Sequence, residues 1–189
     1  FTLVNFAWTF QFPPKVIYLQ VIWAIGVSMM ALAALVWLPR PLLLLVALII
    51  IGGHNLLDSV HFPQGSALHV PWAMLHDRGW IEFSQNLRLR TSYPLLPWIG
   101  VITLGYCMGP WFARSASASQ RQQYLLRAGL GALLGFVLLR LFNGYGEAAW
   151  VNHEHWLATL MSFFNITKYP PSLLFLALTL GAGLLLLLA

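Results

Sequence analysis

His54, Asp58 and His61 follow one another at intervals of four and then three residues in the segment Gly53-His-Asn-Leu-Leu-Asp-Ser-Val-His61. On a helix that spacing places all three on one face, with Asn55 beside them. Three uses suit such a set. A histidine oriented by a carboxylate accepts a proton near neutral pH. The spacing also offers a nitrogen and oxygen set of the kind that holds zinc. The third use is structural, since histidines at a helix end meet water and cap carbonyls. The segment closes a membrane-length apolar run, and ionisable groups beside hydrocarbon face a protein interior or a water-filled cavity. The chain has only five acids and six histidines, so this cluster is the first place to seek function.

Arg140 is the second candidate. It ends a later apolar run, with Asn143 at i+3, Glu147 at i+7, and Gly144 and Gly146 between them. A guanidinium so placed snorkels, pairs with an acid or binds an anionic group. Counting crossings puts Arg140 at the same membrane level as His54, so a base, two acids and a fixed cation are expected to converge on one pocket. Lys168 and Tyr169 precede the last apolar run, either as interfacial anchors or as groups lining the site. His153 and His155 are expected to be exposed. No nearby pattern raises His69 or His76.

The elements that must position these groups are apolar. Hydrophobic residues make up 59 % of the chain and charged residues 8 %, against roughly 25 % charged in soluble domains. Uncharged or nearly uncharged runs occupy Val16–Leu38, Pro41–Leu57, Tyr93–Trp111, Tyr124–Phe142 and Pro171–Ala189, and a crossing needs about 20 helical residues. Phe1–Phe10 reads as the tail of a further helix. The expected fold is an all-α polytopic transmembrane bundle, with about five full spans and a partial one at the N-terminus. It forms one domain over residues 1–189, with outer segments at 58–91 and 143–168. The chain opens and stops inside apolar segments, and is expected to be the middle of a longer polypeptide.

Charge and cysteine content narrow the class. Cys107 is the single cysteine, which excludes an internal disulfide or a cysteine-based zinc site. The net charge of +5 suits a membrane surface, and nothing resembles a nucleic-acid module. Arg40 lies in one short loop, Arg114 and Arg121 in another, with Arg127 just beyond, and the positive-inside rule makes that side cytoplasmic. Gly105/Gly109 and Gly131/Gly135 have the spacing that lets helix backbones approach closely in lipid, within one bundle or across a homodimer.

Several blocks, in order, resemble a known family. They are Phe6-Ala-Trp-Thr-Phe10, Leu19-Gln-Val-Ile-Trp-Ala-Ile-Gly26, Gly53-His-Asn-Leu-Leu-Asp58 and Tyr93-Pro-Leu-Leu-Pro-Trp-Ile-Gly-Val101. Leu139-Arg-Leu-Phe-Asn-Gly-Tyr-Gly146 and Ser162-Phe-Phe-Asn-Ile-Thr-Lys-Tyr-Pro-Pro-Ser-Leu-Leu-Phe175 complete the set. Together they look like the bacterial branch of the heparan-alpha-glucosaminide N-acetyltransferase catalytic-domain family, within the transmembrane acyltransferases. The resemblance implies a bundle of roughly ten helices, of which this chain is the middle. It implies transfer of an acetyl group from cytoplasmic acetyl-CoA to an amino or hydroxyl group of a sugar on the outer side. The family's opening Asp-x-x-Arg-Gly segment and its early outer-side histidine are not in this chain, so the principal catalytic residue is not carried over.

The resemblance, joined to the charge layout, assigns provisional roles. His54, Asp58 and Arg140 are catalytic, and Asn55, His61, Asn143, Glu147, Lys168 and Tyr169 bind the acceptor. Asn55, Asn143 or Arg140 would donate to the acyl oxygen as it becomes negative. Arg114, Arg121 and Arg127 take the CoA phosphates. Acetyl-CoA serves as the acyl donor, no metal is expected, and the partners are membrane lipid and a sugar or glycan, with no nucleic acid. The location implied is a bacterial cytoplasmic membrane. The rival class is a transporter or channel segment using the same polar groups, and a third is a membrane subunit without catalysis.

Overall fold

A computed structural model describes residues 2–84 and 86–188; Phe1 and Ala189, the ends of the first and last apolar runs, lie outside the described residues, as do Gln85 and the side chains of Thr2, Val4, Trp8 and Phe83. Eight helices follow in order: α1 (Thr2–Thr9), α2 (Val21–Leu35), α3 (Arg40–Gly53), α4 (His69–Leu75), α5 (Leu95–Met108), α6 (Ala118–Phe142), α7 (Trp156–Phe164) and α8 (Leu173–Leu186). Three strands, β1 (Val16–Leu19), β2 (Trp80–Ser84) and β3 (Leu87–Thr91), interrupt them.

Among the described residues, three segments are long and apolar enough to cross a membrane: Arg40–Leu57, Leu95–Phe112 and Ala118–Phe142. In the first two, α3 and α5 tighten at their ends into 3-10 turns. Only 22 % of the apolar 18-residue stretch of each span is buried, and Leu48, Ile49, Leu134 and Leu138 are among the large apolar side chains left exposed. Helices apolar on every face suit hydrocarbon rather than water. Two of the apolar runs yield shorter helices, of 15 residues in α2 and 14 in α8. The first of these runs loses its opening residues to β1. In the second, α8 cannot start before Pro170-Pro171, and the Ser172 hydroxyl caps it by accepting from the Phe175 amide at 3.0 Å.

The chain divides between Thr103 and Leu104 into two compact units. In the first, the strands form a sheet of order β1-β3-β2, with β1 parallel and β2 antiparallel to β3. This sheet corrects the all-α expectation. Leu87-Arg-Leu-Arg-Thr91 alternates apolar and charged residues with the period of a strand, but β1 hides inside an apolar run where that period cannot be seen. Arg88 and Arg90, two residues apart, share one face and bracket the Trp80 ring at 4.7 and 4.9 Å. Glu82 pairs with Arg88 at 3.0 Å. Between the apolar helices, Gly100 of α5 lies against Ile50 and Ile51 of α3, where a Cβ would come within 2.9 Å of both side chains.

In the second unit α6 packs on α8 through two glycines. A Cβ on Gly129 would stand 3.1 Å from the Gly181 carbonyl, and a Cβ on Gly181 the same distance from the Gly129 carbonyl. The Gly-x3-Gly pairs take no part in this contact: Gly105, Gly109, Gly131 and Gly135 each have no described atom within 4 Å of a built Cβ. Phe136 of α6 carries an aromatic cluster with Phe163 and Phe164 of α7, at centroid distances of 5.9 and 6.0 Å.

Candidate functional site

The first cluster is made by a change of helix type. Gly52 and Gly53 end α3, and residues His54–Leu57 continue as a 3-10 turn. That turn has three residues per revolution, so residues at i and i+3 eclipse. Asn55 and Asp58 are so related, and the Asn55 amide donates to the Asp58 carboxylate at 2.8 Å. His61 lies beyond the turn, so the helical face expected through it is not continued. Its Nδ1 lies 3.1 Å from the Asp77 carboxylate, with the side chain 68 % exposed.

His76, at the end of α4, stands where His61 was expected. Its Nε2–H donates to the His54 carbonyl at 2.9 Å and lies 3.4 Å from Asp58 Oδ1. A carbonyl only accepts, so Nε2 carries a proton; Nδ1 lies 3.9 Å from Asp77 Oδ1. Trp72, one helical turn before, stacks on the His76 ring at 5.3 Å, and its indole N–H donates to the Val60 carbonyl at 2.7 Å. His69 lies 2.9 Å from the Phe62 carbonyl through Nδ1. Helix α4 is thereby tied across the turn that carries His54.

His54 is 2 % exposed, and neither ring nitrogen has a hydrogen-bond partner among the described residues. Buried polar groups are nearly always paired, so an imidazole with no described partner calls for an explanation. Asp58 is 50 % exposed. A buried base therefore sits beside a carboxylate that reaches solvent. One nitrogen or oxygen from each of His54, Asp58 and His76 lies within 4.8 Å of the other two. Sequence reasoning missed His76 and Asp77. The one local signal was Trp72 four residues before His76, which places both on one face of a short helix.

The second cluster, in the other unit, is of a different kind. Arg140 is 2 % exposed. Its Nε donates to the Phe163 carbonyl at 2.7 Å, Nη1 to Ala148 at 2.7 Å, and Nη2 to Ser162 at 2.8 Å and Asn165 at 3.2 Å. Asn143 ends α6 in the left-handed region with φ 55°, and exchanges two hydrogen bonds with the Trp150 backbone at 2.9 and 3.0 Å. Trp150 returns its indole N–H to the Arg140 carbonyl at 2.8 Å. The Glu147 carboxylate accepts from the Ala148 amide at 3.0 Å, from the Thr167 hydroxyl at 2.8 Å and from the Thr167 amide. Lys168 is exposed, with Nζ 5.1 Å from the Tyr169 ring centre.

The three arginines expected to take phosphates are separately placed. Arg114 is exposed in the loop before α6, and Arg121 and Arg127 are on α6 itself. Six residues apart on a helix, Arg121 and Arg127 project about 120° from one another.

Residues 2–142 match the family described as heparan-alpha-glucosaminide N-acetyltransferase, catalytic. The match takes in the His54 turn, His76 and Arg140; the block from Ser162 to Phe175 lies beyond it. No curated protein and no solved structure matches the chain.

Proposed function

We propose that this chain, which belongs to the heparan-alpha-glucosaminide N-acetyltransferase catalytic family, is an integral-membrane acetyltransferase that uses His54 as its proton acceptor. The observation that carries the reading is the buried His54 imidazole, unpartnered at both nitrogens among the described residues, beside Asp58. The donor is acetyl-CoA and the acceptor an amino or hydroxyl group of a sugar or glycan. Arg40, Arg114 and Arg121 put their loops on the cytoplasmic side. Arg40 starts α3 and His54 follows its end, so the acceptor is met on the outer side.

The reaction needs a proton acceptor and a place for developing negative charge. The acceptor nitrogen or oxygen attacks the thioester carbonyl carbon; a C–N or C–O bond forms and the C–S bond breaks. His54 takes the acceptor's proton and returns it to the CoA thiolate, so the enzyme ends unchanged. Asp58 stabilises the imidazolium, and Asn55 holds that carboxylate in place. Arg114, Arg121 and Arg127 attract the CoA phosphates. Arg140, Asn143 and Glu147 act one step back, by fixing the loops between α6 and α8.

The test is transfer of labelled acetyl from acetyl-CoA to amino-sugar and membrane-glycan acceptors by the purified chain in lipid vesicles, beside a solute-flux assay. Labelled acceptor and free CoA should form in equal amounts. Solute movement with no consumption of acetyl-CoA overturns the reading in favour of a transporter.

A further inference from the structure

We propose that His54, Asp58 and His76 form a binding site for a divalent transition-metal ion of the zinc type. The spacing in the sequence offered a three-ligand set through His61; the fold replaces His61 with His76 and keeps the donor types. Two imidazoles and a carboxylate are an N/O donor set that zinc accepts, and three protein ligands leave a fourth position open.

The geometry fits at its best-defined edge. With zinc–ligand distances near 2.0–2.1 Å, the ligand atoms of a tetrahedral site lie about 3.3–3.4 Å apart. His76 Nε2 and Asp58 Oδ1 are already 3.4 Å apart. The whole trio lies within 4.8 Å, so the edges to His54 close by no more than about 1.4 Å to reach that length. The groups that must move are able to do so. Asp58 is half exposed, and the two His54 nitrogens have no described partner to give up.

An outer partner is also in place. Metal-bound histidines nearly always donate their other N–H to a carboxylate or carbonyl. When Nε2 of His76 binds metal it releases the His54 carbonyl, and the proton moves to Nδ1. Asp77 Oδ1 stands 3.9 Å from that nitrogen, and His61 holds the same carboxylate at 3.1 Å from the far side. Asp77 thus completes a carboxylate–histidine–metal series.

The proposal does not rest on acetyl transfer. Where both hold, a metal on His54 occupies the lone pair that accepts the proton, so saturating zinc slows transfer. The experiment uses the full chain in detergent, stripped by chelator and titrated with zinc against a chromophoric competitor, with cobalt absorption as a second readout. We expect one zinc per chain and a cobalt spectrum of tetrahedral N/O coordination. His54→Gln and Asp58→Asn should each weaken binding at least tenfold, and Asp77→Asn by about 10–100-fold though it removes no ligand. His155→Ala, an exposed histidine of the other unit, should bind as wild type. Asp58 and Asp77 lie at the surface side of the cluster, so their variants fold even where a His54 variant does not. Zinc well below one per chain overturns the site, as does binding undiminished in both Asp58→Asn and His54→Gln. Transfer without zinc binding removes the metal site alone; zinc binding with transfer undisturbed keeps the site and removes His54 as proton acceptor.

Discussion

The His54 turn and the Arg140 knot each contain a buried titratable side chain at the end of an apolar helix, and they use it in opposite ways. Arg140 gives its donors to four backbone carbonyls of its own chain. His54 gives its nitrogens to none of the described residues. A guanidinium at the end of a span looks like the stronger anion site, because it is always charged and can fork onto an acid. That same fork lets it tie loop carbonyls together, and four of its five N–H groups are engaged in doing so. Burial alone does not separate the two; what differs is that one ring has no described partner and lies beside a carboxylate that reaches solvent.

The comparison breaks first at His54. We expect His54→Gln to keep the fold, because no described hydrogen bond to the ring is lost, while acetyl transfer falls by about 10²-fold or more, the usual worth of a positioned base. Circular dichroism and a thermal midpoint establish the fold, and the labelled-acetyl assay measures the rate. A variant that folds and transfers at the wild-type rate would leave the orphaned imidazole without a catalytic role.

Arg140 should fail in the other direction. Arg140→Ala leaves four carbonyls without their donor and should destabilise the second unit by about 3–5 kcal/mol, as removal of one side of a buried charged network does. Arg140→Lys keeps the charge but brings three donors from one nitrogen, which cannot span carbonyls on Ala148, Ser162, Phe163 and Asn165; it should recover only part of that loss. Denaturation in mixed micelles measures both. If Arg140→Lys is as stable as wild type yet inactive, Arg140 touches substrate and the contrast with His54 disappears.

Glu147 tests the same contrast at smaller scale. Its carboxylate accepts from Thr167 and Ala148, so Glu147→Gln sets an NH2 group against donors and should cost about 1–3 kcal/mol. The loss should show as a lower midpoint with transfer intact below it. A full-stability variant with slowed transfer would instead place Glu147 against the acceptor.

What the sequence disclosed follows the same division. The apolar spans were legible because lipid imposes length and composition directly, and the family blocks were legible as ordered motifs. The parallel pairing of Val16–Leu19 with Arg88–Thr91 was not, since both its distance in sequence and its apolar partner conceal it. His54 and Asp58 were found from spacing. His76 was not, because its place beside them depends on α4 folding back across the turn, a tertiary event that no local period records.

His61 carries the smallest expected effect and separates the two ways of building the site. Helical spacing joins His61 to His54 and Asp58, but only if α3 continues past Gly53. The structure ends α3 there, inserts a 3-10 turn, and leaves His61 exposed against Asp77. An exposed pair of this kind contributes about 0–1 kcal/mol. His61→Ala should therefore change stability and transfer by no more than about fivefold in either equilibrium or rate, the upper end for an exposed pair. The informative measurement is His61→Ala beside His76→Gln in one preparation. If His76→Gln slows transfer and His61→Ala does not, the trio is the one made by the fold. If His61→Ala alone slows transfer tenfold, the turn rewinds into a continuous helix during the reaction, and the sequence spacing describes the working state.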